Sequence, residues 1–101
     1  MAQPQDLREA ELWIDRGDEF LKTEELDKAL ECYTRALDFN TRSATAYFKR
    51  GSIFAQIKDF SKAITDFNNA IVLNPDFSFA YFKRGSLYLD LRQIDAAFSD
   101  L

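Results

Sequence analysis

Three glycines recur at a constant interval, and this interval constrains the fold more than any other feature of the sequence. They are the only glycines in 101 residues, and they stand at positions 17, 51 and 85, each 34 residues after the last. The segment Ala46–Ser52 also returns at Ala80–Ser86. A fixed period of this length is typical of stacked supersecondary units rather than of one compact core. The sequence therefore predicts a repeat array.

Each repeat has the pattern of two helices. In the middle repeat, small or apolar residues fall three or four positions apart, which is the spacing of one helix face. Lys58 and Asp59 interrupt the pattern, and Pro75 ends it because proline cannot continue the helical hydrogen bonds. Two such runs predict an antiparallel helix pair. The runs are Tyr47, Gly51, Phe54, Ile57 and then Phe60, Ala63, Ile64, Phe67, Ala70, Ile71.

The predicted fold class is all-α, an α-solenoid of antiparallel helix pairs with about 2.7 repeats. Residues 1–9 form a tail and a helix lead-in, and residues 10–43, 44–77 and 78–101 are the repeats, the last of them truncated. Asp6 and Glu9 have the spacing of a capping box for the first helix. The predicted helices are Leu7–Thr23, Leu26–Asn40, Ala44–Ile57, Phe60–Leu73, Ser78–Leu91 and Ile94–Leu101.

From Ala10 to Leu101, the chain resembles the tetratricopeptide repeat family. The family's aromatic, Gly, aromatic, Ala, aromatic, Ala and Pro stand at Tyr47, Gly51, Phe54, Ala63, Phe67, Ala70 and Pro75. The resemblance implies a right-handed superhelix in which the first helix of each pair lines the concave side. The family's second glycine, in the turn within a repeat, is replaced by Glu24, Lys58 and Arg92. A side chain at positive φ costs about 1 kcal/mol, so these turns are expected to be less sharp or slightly strained.

Composition and charge exclude several classes of protein. A net charge of −4 disfavours nucleic acid as a partner, since nucleic-acid binding needs a basic surface. The single cysteine, Cys32, permits no internal disulfide, which favours a reducing compartment such as the cytoplasm or the nucleus. No apolar run has the length of a signal peptide or a membrane span, so no membrane association is predicted.

The sequence lacks the residue that enzymes use most often for proton transfer and metal binding. There is no histidine, which is the commonest general base and metal ligand. Cys32 therefore has no histidine to activate it, and the glycines are too far apart to form a phosphate-binding loop. We predict no catalytic residue, no metal site and no cofactor.

The helix face beside Tyr47, Gly51 and Phe54 is predicted to line a concave groove that binds a peptide or helix of a partner protein. Phe48, Phe79 and Phe82 stand out because the repeat's own packing does not require them, and an exposed apolar stripe favours peptide binding. The alternative is that neighbouring side chains cover these rings. The predicted groove residues are Ile14, Asp18, Leu21, Phe48, Lys49, Ser52, Phe79, Phe82, Lys83, Ser86 and Leu89.

Two other functions compete with this one. Members of the family that serve chaperones hold a peptide's C-terminal carboxylate with Lys, Asn, Asn, Lys and Arg. The resemblance places those roles at Ile14, Asp18, Lys49, Phe79 and Lys83, where only Lys83 keeps the expected charge. A chaperone-tail receptor is therefore disfavoured. A self-assembling or architectural segment is the other alternative.

The self-assembly alternative depends on the truncated third repeat. No polar capping helix follows it, which is typical of one portion of a longer array. An apolar face left in water at this end is unfavourable, so we expect the chain to form a homo-oligomer through it. The predicted self-association face consists of Leu87, Leu91, Ile94, Phe98 and Leu101.

Two arginines have an acid at the same distance along the chain. Arg50 is followed 16 residues later by Asp66, and Arg84 by Asp100. This common offset predicts an ion pair between the two helices of the second repeat and of the third, and a bidentate pair would fix their geometry. The first repeat has Cys32 at that offset from Arg16.

Overall fold

The computed structural model describes residues 3–99, with side chains for residues 3–92. Every regular element within this range is an α-helix, so the all-α prediction is confirmed. No helix in the described range has an apolar stretch long enough to cross a bilayer. The helices are α1 (Pro4–Lys22), α2 (Leu26–Phe39), α3 (Ala44–Gln56), α4 (Phe60–Leu73) and α5 (Ser78–Ser99).

The first helix begins earlier than the sequence predicted. Pro4 occupies its first turn, where the fixed φ of proline suits a helix and the missing N–H costs nothing. The backbone N–H of Gln3 donates to Asp6 Oδ2 at 3.3 Å. The predicted capping box of Asp6 with Glu9 was therefore wrong. Gln3 is the N-cap residue, and Asp6, the third residue of the helix, accepts the hydrogen bond from its backbone N–H.

The helices stack in chain order. α1 packs against α2 and α3 against α4, while α2 also contacts α3 and α4 contacts α5. A fully buried aromatic ring, Tyr33 in the first pair and Phe67 in the second, occupies the centre of each pair. Small residues in α2 and α4 let the neighbouring helices approach closely around these rings. They are Ala29, Ala36, Ala63 and Ala70, all fully buried.

Each aromatic ring lies over a glycine of the preceding helix, at a spot that we call the glycine notch. A Cβ atom added at Gly17 would lie 2.6 Å from Tyr33 Cε1, and one at Gly51 would lie 3.0 Å from Phe67 Cε1. Distances this short leave no room for a side chain. At the corresponding Gly85, an added Cβ would meet no atom of the described side chains within 4 Å.

The turns within the first two repeats are strained rather than loose. Glu24 and Lys58 have φ values of 58° and 68°, in the left-handed region that favours glycine. The next residue in each turn donates its N–H back to the first helix, from Glu25 to the Phe20 carbonyl at 2.9 Å and from Asp59 to the Phe54 carbonyl at 2.8 Å. These bonds satisfy helix-end carbonyls and stabilise a sharp reversal.

The third repeat has no such turn in the described residues. α5 runs without interruption from Ser78 to Ser99, so the prediction of separate helices Ser78–Leu91 and Ile94–Leu101 was wrong. Arg92 holds the turn position but lies within the helix, which spares it a positive φ. A second helix of two turns would also be marginal on its own. Straight continuation is therefore favoured.

The predicted ion pair of the middle repeat is confirmed. Arg50 donates from Nε to Asp66 Oδ2 and from Nη2 to Asp66 Oδ1, both at 2.8 Å. Asp66 is buried, and its hydrogen bonds raise the pKa of the Arg50 guanidinium. Arg50 Nη1 also lies 3.4 Å from Thr34 Oγ1 of the previous repeat. Arg50 therefore joins three helices.

The corresponding arginine of the third repeat has a different partner. Arg84 donates from Nη1 to Asn68 Oδ1 at 2.8 Å, and Asn68 is the counterpart of Thr34 in the next repeat. Its predicted partner, Asp100, lies outside the described residues.

Trp13 anchors the outer edge of the first repeat. Two guanidinium groups lie over its ring system, with Arg16 Cζ 4.8 Å and Arg35 Cζ 5.1 Å from a ring centroid. Cations over the face of an indole are attracted by its ring quadrupole. The half-buried ring also packs against the apolar cluster of Ala10 and Ala36, so it connects α1 with α2.

Candidate peptide-binding groove

A cleft of about 340 Å³ crosses the first helices of all three repeats. It brings together six of the predicted groove residues, because positions one repeat apart face the same way on α1, α3 and α5. The residues that line it are Asp18, Leu21, Phe48, Lys49, Ser52, Ile53, Gln56 and Lys83. Ile53 and Gln56 were missed, although they follow Lys49 by four and seven positions and so share its helix face.

Asp18 lies at the centre of a polar bridge in this cleft. Lys49 Nζ lies 2.7 Å from Asp18 Oδ2, and the Tyr33 hydroxyl donates to Asp18 Oδ1. Burial of the phenol, and secondly its bond to Asp18, raise the pKa of Tyr33. The bridge connects α1, α2 and α3. Asp18 therefore balances the charge of Lys49 within the protein and holds that side chain in place.

Phe48 forms the floor of the cleft. Its ring centroid lies 4.9 Å from that of Phe77 and 6.0 Å from that of Phe67, and the side chain is half-buried. The prediction that the repeat's own packing does not need Phe48 was wrong. Phe77, in the linker before α5, covers one side of the ring, and nothing in the spacing of the repeats predicts that contact.

The groove face of α5 is the most exposed apolar surface at this site. Phe79 is 70% and Phe82 69% exposed, and Leu89 lies on the same side of the helix and is also exposed. Lys83 and Ser86 complete this face by helical spacing. Lys83 is exposed and forms no ion pair with the described residues. Of the two lysines that line the cleft, Lys49 is paired with Asp18 and Lys83 is paired with no acid in the described part of the chain.

Three of the predicted groove residues also stabilise the fold. Leu21 packs against the buried cluster of Tyr33 and Ile53, and Ile14 contacts the same cluster. The Ser52 hydroxyl donates to the Phe48 carbonyl of its own helix at 2.9 Å. Ile14 also lines a second cleft of about 310 Å³ with Leu7, Ala10, Glu11, Asp15, Asn40, Ser43 and Thr45.

The predicted self-association face is corrected at its two described members. Leu87 is buried against Ala63 and Phe67, and Leu91 is half-buried in the same cluster. Both point toward α4, so neither belongs to an exposed surface. The side chains of Ile94 and Phe98, and all of Leu101, lie outside the described residues.

The chemistry available in the described residues is limited. They contain no group of three side chains able to hold a metal ion. The Cys32 thiol is buried, and burial raises its pKa, which disfavours the reactive thiolate.

Helix pairs that repeat every 34 residues, stack in one direction and present a groove on their first helices define an α-solenoid of the protein-interaction class. The family model described as "TPR repeat" matches residues 17–58, and the one described as "Tetratricopeptide repeat" matches residues 44–77. The chain belongs to the tetratricopeptide repeat family.

Several solved structures are similar. The first TPR domain of Spaghetti (RPAP3), bound to the HSP90 peptide SRMEEVD, is 28% identical over 93% of this chain and 75% of that one, with a TM-score of 0.82. The second TPR domain of the same protein, bound to the same peptide, is 29% identical over 95% and 89%, with a TM-score of 0.83. The TPR2B domain of yeast Sti1, in a pHsp70 complex, is 25% identical over 91% and 74%, with a TM-score of 0.81. The curated protein sequences contain no match.

Proposed function

We propose that this chain binds a peptide segment of a partner protein in its concave groove. The observation that carries the proposal is the exposed apolar stripe of Phe79, Phe82 and Leu89 beside a cleft that crosses three helices. Large apolar side chains in water are unfavourable by about 25 cal/mol per Å², and contiguous patches of them usually mark interaction sites.

The groove offers a bound peptide an apolar surface and one positively charged side chain. Phe82 offers an exposed aromatic ring, and aromatic residues are enriched at the centre of protein interfaces. Leu21 and Phe48 line the adjoining cleft, which can accept an apolar side chain of the peptide. Lys83, at the edge of the cleft, favours a peptide with an acidic or polar residue beside that side chain.

Selection from a random peptide library displayed on phage tests the proposal without a known partner. We expect the full chain to enrich peptides rich in aromatic and aliphatic residues, and the variant Phe82→Ser to lose them. Val72→Ser is the matched control, because Val72 is also an exposed apolar residue but lies on α4. Enrichment that survives Phe82→Ser, or that Val72→Ser removes equally, would place the binding site elsewhere.

The relatives that bind HSP90 or Hsp70 peptides raise the question of a chaperone tail. We propose that this groove does not hold a C-terminal carboxylate. Ile14 and Phe79 offer no polar atom to it, and Asp18 would repel it while also pairing with Lys49. The peptide SRMEEVD should therefore give no saturable binding in isothermal titration calorimetry. Tight binding that is lost when the peptide is amidated would contradict this.

The proposed module is non-catalytic and works in a reducing compartment, the cytoplasm or the nucleus. The support comes from the absence of histidine in the sequence and from the single thiol. The net charge of −4 disfavours nucleic acid as the partner. A filter-binding assay with single-stranded and double-stranded DNA and RNA should show no retention at physiological salt.

A further inference from the structure

The linker before α3 leaves open a space that the linker before α5 fills. Phe77 follows Ser43 by one repeat interval of 34 residues. Phe48, which follows Ile14 by the same interval, is covered by the Phe77 ring, with 4.9 Å between the two ring centroids. Ser43 has no ring to lay over Ile14, and its hydroxyl oxygen accepts a hydrogen bond from the Ala46 N–H at 3.1 Å. The second cleft, of about 310 Å³, lies at this place, and we call it the Ile14 cleft.

The Ile14 cleft combines apolar side chains with two carboxylates. Leu7, Ala10 and Ile14 lie three or four positions apart and so share one face of α1. Glu11 and Asp15 line the same cleft, and both are exposed. Within residues 3–92, neither carboxylate forms an ion pair with a lysine or arginine. The cleft therefore has an apolar surface beside two negative charges that the described residues do not neutralise.

Every side chain that lines the Ile14 cleft is described. The lining comes from α1, from the linker after α2 and from the start of α3, whereas α5, which carries residues 93–99, packs against α4 and α3. Asp15 lies 12 residues after Gln3, which is about 18 Å along the helix. Two residues of extended chain span only about 7 Å, so residues 1–2 are too short to reach Asp15. The Asp15 carboxylate is therefore open to a group from another molecule.

We propose that the Ile14 cleft takes a cationic side chain, arginine above all, of the peptide that binds in the groove. The inference rests on the proposed peptide binding and adds the chemical class of the peptide. Arginine and lysine pack an aliphatic stem on apolar surface and keep the charged end in water. The stem fits over Ile14, in the place that a ring occupies over Phe48. The planar guanidinium has enough donors to bind both Glu11 and Asp15.

The Ile14 cleft continues the groove instead of forming a separate surface. On α1, Asp18 and Leu21 follow Ile14 by four and seven positions and line the first cleft. On α3, Phe48 of the first cleft follows Thr45 of the Ile14 cleft by three positions. Ile14 and Leu21 also pack against the same buried cluster. One peptide can therefore place a cation over Ile14 and a neighbouring apolar side chain against Leu21 and Phe48.

A small probe tests the cleft without a known partner. The isotope-labelled full chain is titrated with N-acetyl-arginine amide and followed by nuclear magnetic resonance. The matched control is N-acetyl-citrulline amide, which has the same shape but no charge. A single residue should bind in about the millimolar range, with saturable shifts of the Glu11, Asp15 and Ser43 amides. The citrulline probe should bind at least about tenfold more weakly. No saturable shift, or equal binding of both probes, would overturn the proposal.

Two substitutions at Ser43 separate the open space from the helix cap. Ser43→Phe and Ser43→Ala both remove the hydrogen bond to the Ala46 N–H, but only phenylalanine fills the cleft as Phe77 fills its counterpart. Ser43→Phe should therefore lose the arginine probe, and Ser43→Ala should keep it. Circular dichroism shows that both variants remain helical. Equal loss in both variants would overturn the proposal.

Two double variants separate the local carboxylates from the net charge. Glu11→Gln with Asp15→Asn should weaken the arginine probe at least about tenfold. Asp27→Asn with Glu31→Gln removes the same charge from exposed acids, also four positions apart, which lie on α2 outside the cleft. This control should change the affinity less than about twofold, because salt screens distant charges. Equal weakening by both would overturn the proposal.

Peptide selection from the phage library distinguishes this inference from the proposed function. The unchanged chain should enrich peptides that combine arginine or lysine with apolar residues. The double variant Glu11→Gln with Asp15→Asn should enrich apolar peptides without the basic residue. Enrichment that depends on Phe82 but shows no basic preference would overturn this inference and leave the proposed function standing. Enrichment of no peptide would overturn the proposed function and, with it, the role of the Ile14 cleft in peptide binding.

Discussion

The second and third repeats share seven residues, Ala46–Ser52 and Ala80–Ser86, yet these residues have different surroundings. Gly51 lies against Phe67, whereas no atom of the described residues lies within 4 Å of a Cβ built at Gly85. Arg50 holds a buried carboxylate with two bonds, whereas within residues 3–92 Arg84 makes one bond to an exposed amide. The difference shows that the motif does not determine its own environment. Whether the same residues are buried or exposed depends on the helix that packs against them.

We expect the largest difference in the free energy of unfolding between substitutions at Gly51 and at Gly85. Gly51→Leu should lower the free energy of unfolding by about 3 kcal/mol, because even a Cβ there meets Phe67. Gly85→Leu should be neutral or stabilising by up to about 1 kcal/mol, since leucine is the better helix former. Urea denaturation measures both. Ser52→Leu serves as the control beside Gly51 and should cost far less, and equal costs at Gly51 and Gly85 would show that the notches do not differ.

The second effect concerns the two arginines. Asp66→Asn should cost about 2 kcal/mol, which is below the range for a fully buried pair because Arg50 reaches solvent at its edge. Asn68→Ala removes one exposed bond to Arg84 and should cost only about 0.5 kcal/mol. Thermal midpoints of the two variants at matched pH and salt compare them. A larger loss for Asn68→Ala would reverse the comparison.

The third prediction concerns the pH dependence of the free energy of unfolding, which Tyr33 at the first glycine notch should affect. The folded pKa of Tyr33 is raised above its ordinary value of 10.0, so the unfolded chain loses the phenolic proton first. The stabilisation is complete below pH 10.0 and is lost as the pH rises further, by up to about 1.4 kcal/mol per pH unit. Unfolding free energies measured across that range should fall less steeply for Tyr33→Phe, and parallel slopes would contradict the assignment.

The smallest predicted effect is that of a glycine substitution at the turn position, which should stabilise the second repeat but destabilise the third. Lys58→Gly relieves a positive φ and should stabilise the chain by about 1 kcal/mol. Arg92→Gly places glycine inside α5 and should destabilise it by a similar amount, about 1 kcal/mol. Lys58→Ala controls for the lost side chain and should bring no gain. Urea midpoints that shift in the same direction for both glycine variants would show that α5 also turns at Arg92.

Most of the fold could be predicted because the repeat interval specifies which residues share a helix face. The pair of Arg50 and Asp66 followed from an offset of 16 that lies within one repeat. The continuity of α5 could not be predicted, because Arg92 occupies the same position as Lys58 and only the surrounding packing distinguishes a turn from a continuing helix.

The sequence was enough to predict which residues share the groove face, but not which side chains contact one another there. Helical spacing placed Asp18, Phe48 and Lys49 together, but it did not show that Lys49 is held by Asp18. Nor did it show that Phe77 covers Phe48. The first contact joins different repeats. The second joins α3 to the linker before α5. Both distances depend on how the helix pairs stack. A pattern within one helix carries no information on that distance.

The two guanidinium groups around Trp13 have a consequence for spectroscopy. Trp13 is the only tryptophan of the chain, and its half-buried ring touches both helices of the first repeat. Its emission therefore reports the melting of the first repeat together with the cluster that joins it to Ala46 of α3, while circular dichroism reports the helices of every repeat. In a linear array whose units contact only their neighbours, the two signals together reveal the order in which units open. Trp13 is therefore an intrinsic fluorescent probe located in the first repeat.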